Sequence, residues 1–431
     1  MTALLALAAA PLVLTLVVLG FRRPVALILP AYAATVPFGS ALPTGLPAPY
    51  GSLSSVLGLL LLVALAGQVM SGRASQARFP ATVAVWLLFL GVAGASAFWS
   101  VSPQLTEAGF INLASLVVLY ALLAFLPAQT RDLRRLELAL VIGGVAASVY
   151  GLAQLLVLGG LPTGTDGHSG PRFGRELLGP NNTAAALLLP LAISLCHSVD
   201  WPRLLGRALH AVAAALLVTG VLLTGSRGGL VAVAACIVVA ILVVPRGRAL
   251  LVGYTAAALV MVAVVLVANP AGIGSRQSEQ TDSSGRAEIW LIGLSACEHY
   301  CVTGAGWGTF PRVYQLEQPR VPEARVLSRG TNYEPHNIWI LIGVEAGIAG
   351  LVLAAVGLTL TMRDSLRLPA RLRGPPVVAL TGTLVAGFFL SNFEYKFFWM
   401  TLMYALLCRT VALNSALPEI RTTPARVRVP A

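Results

Sequence analysis

The chain has 431 residues, of which 57% are hydrophobic and 11% charged, and its formal net charge is +12. Its mean hydropathy of +0.82 excludes an ordinary soluble globular protein, in which about a quarter of residues are charged. Repeated apolar runs of the ~20 residues that cross a ~30 Å hydrocarbon core instead indicate a polytopic membrane protein with an all-α helix-bundle fold.

In chain order, spans are predicted at 3–20, 25–42, 53–71, 80–99, 108–127, 134–159, 180–200, 208–224, 228–245, 248–269, 336–361, 375–391 and 397–412. That makes about 12–13 transmembrane helices. The opening "MTALLALAAAPLVLTLVVLGFRRP" carries no basic residue ahead of its apolar run and reads as a retained span rather than a cleaved signal. Arg22 and Arg23, Arg73 and Arg78, Arg131, Arg134 and Arg135, Arg203 and Arg207, Arg246 and Arg248, then Arg363, Arg367, Arg371 and Arg373 mark one set of connections. The alternate connections "ALPTGLPAPYGS" and "SVSPQLTE" hold no arginine or lysine. This bias sets the first group and the basic tail in the cytoplasm, and it speaks against a nucleic-acid-binding face. The span count puts the N-terminus outside.

Two outer connections break the pattern. "LGGLPTGTDGHSGPRFGRELLGPNN" holds His168, Arg172 and Arg175, and the long polar stretch 269–335 carries Arg276, Arg286, Arg312, Arg320, Arg325 and Arg329. Long loops translocate despite charge, so solvation alone accounts for some of these. Two arginine-bearing outer segments also suit a shared anionic ligand.

Within "LLTGSRGGL", Arg227 sits among Gly225, Ser226, Gly228 and Gly229. Small residues leave amides accessible at a helix start, where anions are favoured, and arginine adds a fork that grips phosphate. The alternative is an arginine snorkelling to lipid headgroups. "DSSGRAEIWLIGLSACEHYCVTGAGWGTF" predicts a short helix in the long loop, capped by Ser283 or Ser284, with Ile289, Trp290, Ile292, Gly293 and Ala296 packing downward. Arg286 falls in its first turn, where the helix dipole disfavours a cation unless an anion intervenes; a salt bridge to Asp282 or Glu288 is the bland alternative. Cys297 and Cys301, four apart in an outer loop, are candidates for a disulfide. In "EPHNIW", Pro335 precedes a helix and His336 stands at its outer lip, with an imidazole able to accept a hydroxyl proton near neutrality or to serve structurally. No second ligand follows His336 at i+3 or i+4, so no metal site is expected. Glu345 lies nine residues deeper, ~13 Å along a helix, and is expected to pair with an interior arginine or to close a polar network.

Taken together, "RFGRELLGPNNTAAALLLPLAI", "LLTGSRGGLVAVAA", "SGRAEIW", "GAGWGTF" and "PHNIWILIGVEAGIAGLVL" resemble the O-antigen ligase and O-antigen polymerase superfamily of bacterial cell-envelope glycosyltransferases. The resemblance covers about 165–360 and rests on five motifs in order. It implies three regions: N-terminal membrane helices 1–159, a catalytic region 160–361 with outer loop 270–335, and C-terminal helices with a basic cytoplasmic tail, 362–431. It also implies inverting, metal-independent glycan transfer from a polyprenyl-diphosphate carrier to an acceptor hydroxyl of a glycan, lipid or protein. That reaction uses no cofactor and runs on the outer face of the cytoplasmic membrane. Arg227 and Arg286 match the family's diphosphate-binding arginines, and His336 matches its acceptor-activating histidine. Arg172 or Arg175, Asn181 or Asn182, and Trp290 match its substrate-binding positions. Ligase and polymerase are not separated by these motifs. A lipid-linked glycan flippase is the rival reading, and it would need polar residues at the membrane midplane.

Overall fold

The computed structural model describes residues 18–47, 50–73, 79–158, 160–162, 171–244, 286–322 and 333–416, together with 249, 252, 253, 256 and 324. A backbone in lipid must satisfy its hydrogen bonds within itself, and the described residues form helices and no strand. In chain order these are α1 (Ile28–Thr35), α2 (Leu53–Gln68), α3 (Ala81–Ala95), α4 (Pro103–Ala124), α5 (Thr130–Leu156), α6 (Pro180–Ala186) and α7 (Leu188–Asp200). There follow α8 (Leu204–Thr224), α9 (Arg227–Val243), α10 (Arg286–Tyr300), α11 (Phe310–Glu317), α12 (Ile338–Leu366), α13 (Ala370–Gly387) and α14 (Lys396–Ala416).

Eight of the described helices are long and apolar enough to cross a membrane, counting α6 and α7 as one continuous span. α9, with 17 residues, is a shorter apolar helix, and α13 carries Pro375 and Pro376 inside its 18 residues. The expected span 25–42 becomes α1 followed by a 3-10 turn over Val36–Ala41. Most of 3–20 and of 248–269 lies outside the described residues, as do His168, Arg276, Ser283 and Ser284. The helix expected in the long loop begins at Arg286 and buries Ile289, Ile292, Gly293 and Ala296, whereas Trp290, expected on the same face, is only half-buried.

One apolar core joins nearly all the spans, and its centre is aromatic. Trp86 lies 5.3 Å from Trp399 and 5.9 Å from Phe393, and Phe89 lies 5.2 Å from Phe393. Trp307 enters the same stack from outside the bundle, 5.3 Å from Phe89 and fully buried.

Trp307 is there because "GAGWGTF" is sewn onto a break in α12. Gly347 has φ 66° and ψ −168°, which interrupts the helix and releases carbonyls of the preceding turn. Ala305 N–H donates to the Val344 carbonyl at 2.8 Å and Gly306 N–H to the Glu345 carbonyl at 3.1 Å. The Glu345 side chain completes the join: its two oxygens accept N–H groups from Gly308 at 2.9 Å and Phe310 at 2.8 Å. Of the two expectations for Glu345, the arginine partner gives way to the polar network. Glu345 accepts instead from the Gly308 and Phe310 backbone amides, which a carboxylate binds in charge-assisted fashion. On its other side the strip is held by Ser96 Oγ, which accepts Trp307 N–H at 3.0 Å, and by Trp99 Nε1, which donates to the Gly304 carbonyl at 3.1 Å.

Glu345→Ala leaves two protein-enclosed amides without acceptors, each worth about 1–3 kcal/mol, and is expected to lower the thermal unfolding midpoint of the protein in detergent. Gly347→Ala is expected to do likewise. Its backbone is left-handed and a Cβ there would lie 2.6 Å from the Val302 carbonyl oxygen. An unchanged midpoint in Glu345→Ala would refute the stapling role.

Candidate functional site

Four loops and helix starts meet at the end of the bundle where α6, α9, α12 and α14 begin. The first is the turn between α8 and α9. Gly225 closes α8 in the left-handed conformation at φ 60°, and Ser226 caps α9 by accepting Gly229 N–H at 3.2 Å. Arg227 thus occupies the first helical position of α9 and is exposed. Phe173 N–H bonds the Leu223 carbonyl at 3.0 Å, which brings the "PRFGR" segment alongside. Arg172 then donates from Nε to the Thr224 carbonyl at 2.8 Å and from Nη2 to Asn181 Oδ1 at 3.0 Å. Arg172 clamps the end of α8 to the start of α6.

The residues that the sequence left as alternatives therefore separate. Asn181 belongs to the Arg172 clamp, whereas Asn182 hydrogen-bonds Tyr395. Arg175 lines a different space, a cavity of about 660 Å³ shared with Glu334, Glu394, Tyr395 and Lys396.

The third component is α10. Arg286 opens it, and Trp290, one turn on, donates Nε1–H to the Pro335 carbonyl at 2.8 Å. That bond fixes the residue just before His336. His336 has φ 48°, the one left-handed non-glycine among the described residues. A conformation of this kind costs about 1–3 kcal/mol and is maintained where the surroundings over-determine it. Asn337 supplies much of that constraint: its Oδ1 caps α12 by accepting N–H groups of Trp339 at 2.9 Å and Ile340 at 3.2 Å. Its Nδ2 reaches the Phe388 carbonyl at 3.4 Å. Burial and the neighbouring Arg286 guanidinium push the His336 imidazole down to about 4, so it is neutral at pH 7.

The fourth component, the loop after α13, escaped the sequence reading. Phe388 takes the Asn337 amide, Phe389 packs on Gly228 beside Arg227, and Tyr395 meets Asn182. This loop therefore touches the neighbours of each predicted residue group except α10. It also brings Glu394, whose carboxyl is raised to about 7 by burial and by the charge of Glu334. Tyr395 is raised to about 12 by burial and then by Glu334, against the lowering effect of Asn182. Lys396 Nζ donates to Ser54 Oγ at 3.0 Å and Ser55 Oγ at 2.8 Å, and Asn112 Nδ2 holds the Glu394 carbonyl at 3.1 Å. A signal was present: "NFEYK" places two charged and two further hydrogen-bonding side chains between apolar runs.

Cys297 and Cys301 are joined by a disulfide within α10 and the turn after it, with Cα atoms 4.4 Å apart. Among the described residues no three His, Cys, Asp or Glu side chains are grouped to hold a metal ion. The site therefore offers guanidinium groups, helix-start amides, a neutral imidazole and a carboxyl poised near neutrality. These groups can bind an anion and relay a proton.

Residues 212–355 match a protein-family model described as O-antigen ligase. The matched segment includes Arg227, Arg286, Trp290, His336 and Glu345, and it ends before Glu394. No curated protein matches the chain.

With histidine isotopically labelled, nuclear magnetic resonance titration should place His336 near 4 rather than near 6.5. Arg286→Gln should raise that value, because removing the adjacent positive charge favours the imidazolium. The rise should stop short of the free value, since burial is the larger cause. A titration unmoved by Arg286→Gln would separate the two residues.

Proposed function

We propose, from the match of residues 212–355 to the O-antigen ligase model, that this chain transfers a glycan from a polyprenyl diphosphate to an acceptor hydroxyl, inverting the anomeric carbon without a metal. The observation that carries the proposal is the placing of Arg286 beside His336: Trp290, on the same helix as Arg286, ties α10 to the residue before His336, and the guanidinium adds to burial in lowering the imidazole. An anion binder and a proton acceptor are thereby set side by side on separate segments.

Arg286 and Arg227 bind the donor diphosphate, with the α9 amides adding partial positive charge. Arg172 positions the Arg227 turn rather than the substrate, since its donors go to Thr224 and Asn181. Arg175, Asn182 and Trp290 complete the lining or its support. The acceptor hydroxyl oxygen attacks the anomeric carbon from the face opposite the diphosphate, and its proton passes to His336 Nδ1 or Nε2. The anomeric carbon–oxygen bond breaks, and its electron pair leaves on the diphosphate, where the arginines stabilise the growing charge. A free-enzyme value near 4 makes His336 a weak base. Donor binding offsets part of this, because the diphosphate's negative charge counters Arg286, the smaller of the two causes, and raises the proton affinity of the imidazole.

Glu394 supports a second assignment of the proton. Its value of about 7 suits general-base work at neutral pH, and it lines the 660 Å³ cavity with Arg175. The arginine bias of the opposite helix ends favours an active site on the outer face of the cytoplasmic membrane.

Purified protein given polyprenyl-diphosphate glycan and acceptor should release the carrier diphosphate. Arg227→Ala and Arg286→Ala should each lower turnover by about 10²–10³-fold, and His336→Ala by about 10²–10⁴-fold. Donor crossing vesicles with no bond cleaved would support a flippase and defeat the proposal.

The pH profile of kcat/KM apportions the proton. His336 acts only when neutral, so rate is lost as pH falls through about 4. An acid limb near 7 that Glu394→Gln abolishes would transfer the role to Glu394.

A further inference from the structure

A second and larger cavity, about 810 Å³, lies at the other end of the same helices. α14 contributes to both: Lys396 lines the outer cavity and Val411 the second one, ~22 Å further along at 1.5 Å per residue. The starts of α5 and α13 and the ends of α7 and α9 complete it. The glycosyl-transfer reading makes no use of this space.

Its floor is ionisable. Glu137, 7% exposed within the spanning helix α5, accepts the Tyr404 hydroxyl at 2.7 Å, and His197 Nε2 stands 3.2 Å from its other oxygen. Charged groups within spans cost about 2.5–3.5 kcal/mol even on insertion scales and mark function more often than architecture. Topology anchoring does not call for them, since that needs arginine outside the hydrocarbon rather than a carboxylate inside it. The wall is aromatic: the Trp201 ring lies 5.0 Å from His197, and the Arg134 guanidinium stands 6.0 Å over the same ring.

The mouth is strongly positive. Segments 129–137, 197–207 and 363–373, with Arg409, carry ten arginines against four carboxylates. Several of these arginines are spoken for. Arg207 donates to the Trp201 carbonyl at 2.7 Å, Arg373 to the Leu368 carbonyl at 3.1 Å, and Arg363 and Arg409 both reach Asp364. Arg134 and Arg371 instead line the cavity, both exposed. Leu133, Val243, Val244 and Leu372 supply apolar wall between them and the floor.

We propose that this cavity binds the headgroup of a phosphodiester lipid from the leaflet at the arginine-rich end, with Arg134 and Arg371 holding the phosphate. Guanidinium forks suit phosphate oxygens, and the volume falls within the ~300–1,000 Å³ of small-molecule sites. The Glu137 carboxylate repels phosphate, so the phosphate stays at the mouth. The Glu137–His197 pair then takes a neutral hydroxyl, donating to the carboxylate or accepting from the imidazole. Phosphatidylglycerol has both parts, and the choline headgroup of phosphatidylcholine has no hydroxyl to offer.

The test uses the full-length protein in detergent, stripped of lipid and titrated with phosphatidylglycerol, phosphatidylcholine or inorganic phosphate, with bound lipid counted by native mass spectrometry. Phosphatidylglycerol should bind about tenfold more tightly than phosphatidylcholine. The double variant Arg134→Gln/Arg371→Gln should weaken it by about tenfold or more. Arg131→Gln/Arg135→Gln removes equal charge from the same helix end off the cavity, and should leave binding near wild type. Equal losses in the two double variants, or equal binding of the two lipids, would reduce the effect to general surface charge and overturn the proposal. Displacement of phosphatidylglycerol by millimolar inorganic phosphate would assign a free-anion site and overturn the lipid.

Discussion

The Glu345 carboxylate lies in the middle of an apolar helix and takes its hydrogen bonds from the amides of Gly308 and Phe310. An ionisable group so placed is expensive in lipid, and here its cost is offset by what it joins. The strip 301–310 connects α10 to α11, so the staple fixes the outer segment to the bundle. Arg286 and Trp290 ride on α10, and Trp290 bonds Pro335, ten residues before Glu345. The long loop is thus anchored at two points of one helix entrance. Geometry at His336 depends on both.

The break at Gly347 belongs to the same device. An unbroken helix would consume the carbonyls of Val344 and Glu345 in its own ladder. With the ladder interrupted, those carbonyls accept from Ala305 and Gly306, and the strip docks edge-on against the helix. Trp307 then drives into the aromatic core beside Phe89 and Phe393. Polar stapling supplies direction and apolar burial supplies most of the favourable free energy.

The two ends of the bundle carry opposite kinds of polar chemistry. At the end where α9, α12 and α14 begin, single arginines are distributed among turns, and carboxyl groups crowd together at Glu334 and Glu394. At the other end arginines are dense and their surplus over carboxylates is large. Helix direction alone does not impose that difference, since helices of both polarities contribute to each end. It follows from side chains placed at the span boundaries.

The membrane class and the helix in the long loop, with most of its buried face, were legible in one dimension, where Arg227, Arg286 and His336 also stand out as motif residues. Each is a local matter: hydropathy over ~20 residues, a 3.6-residue period, or a run of small residues at a helix start. Tertiary structure alone decided which of Arg172 and Arg175 clamps a turn and which lines a cavity, and how Asn181 and Asn182 diverge. It also decided that Glu345 serves backbone amides and that Glu394 lines a cavity with Arg175. Those outcomes depend on contacts between residues tens to hundreds of positions apart, and no local period encodes which distant amide or carboxylate a side chain will meet.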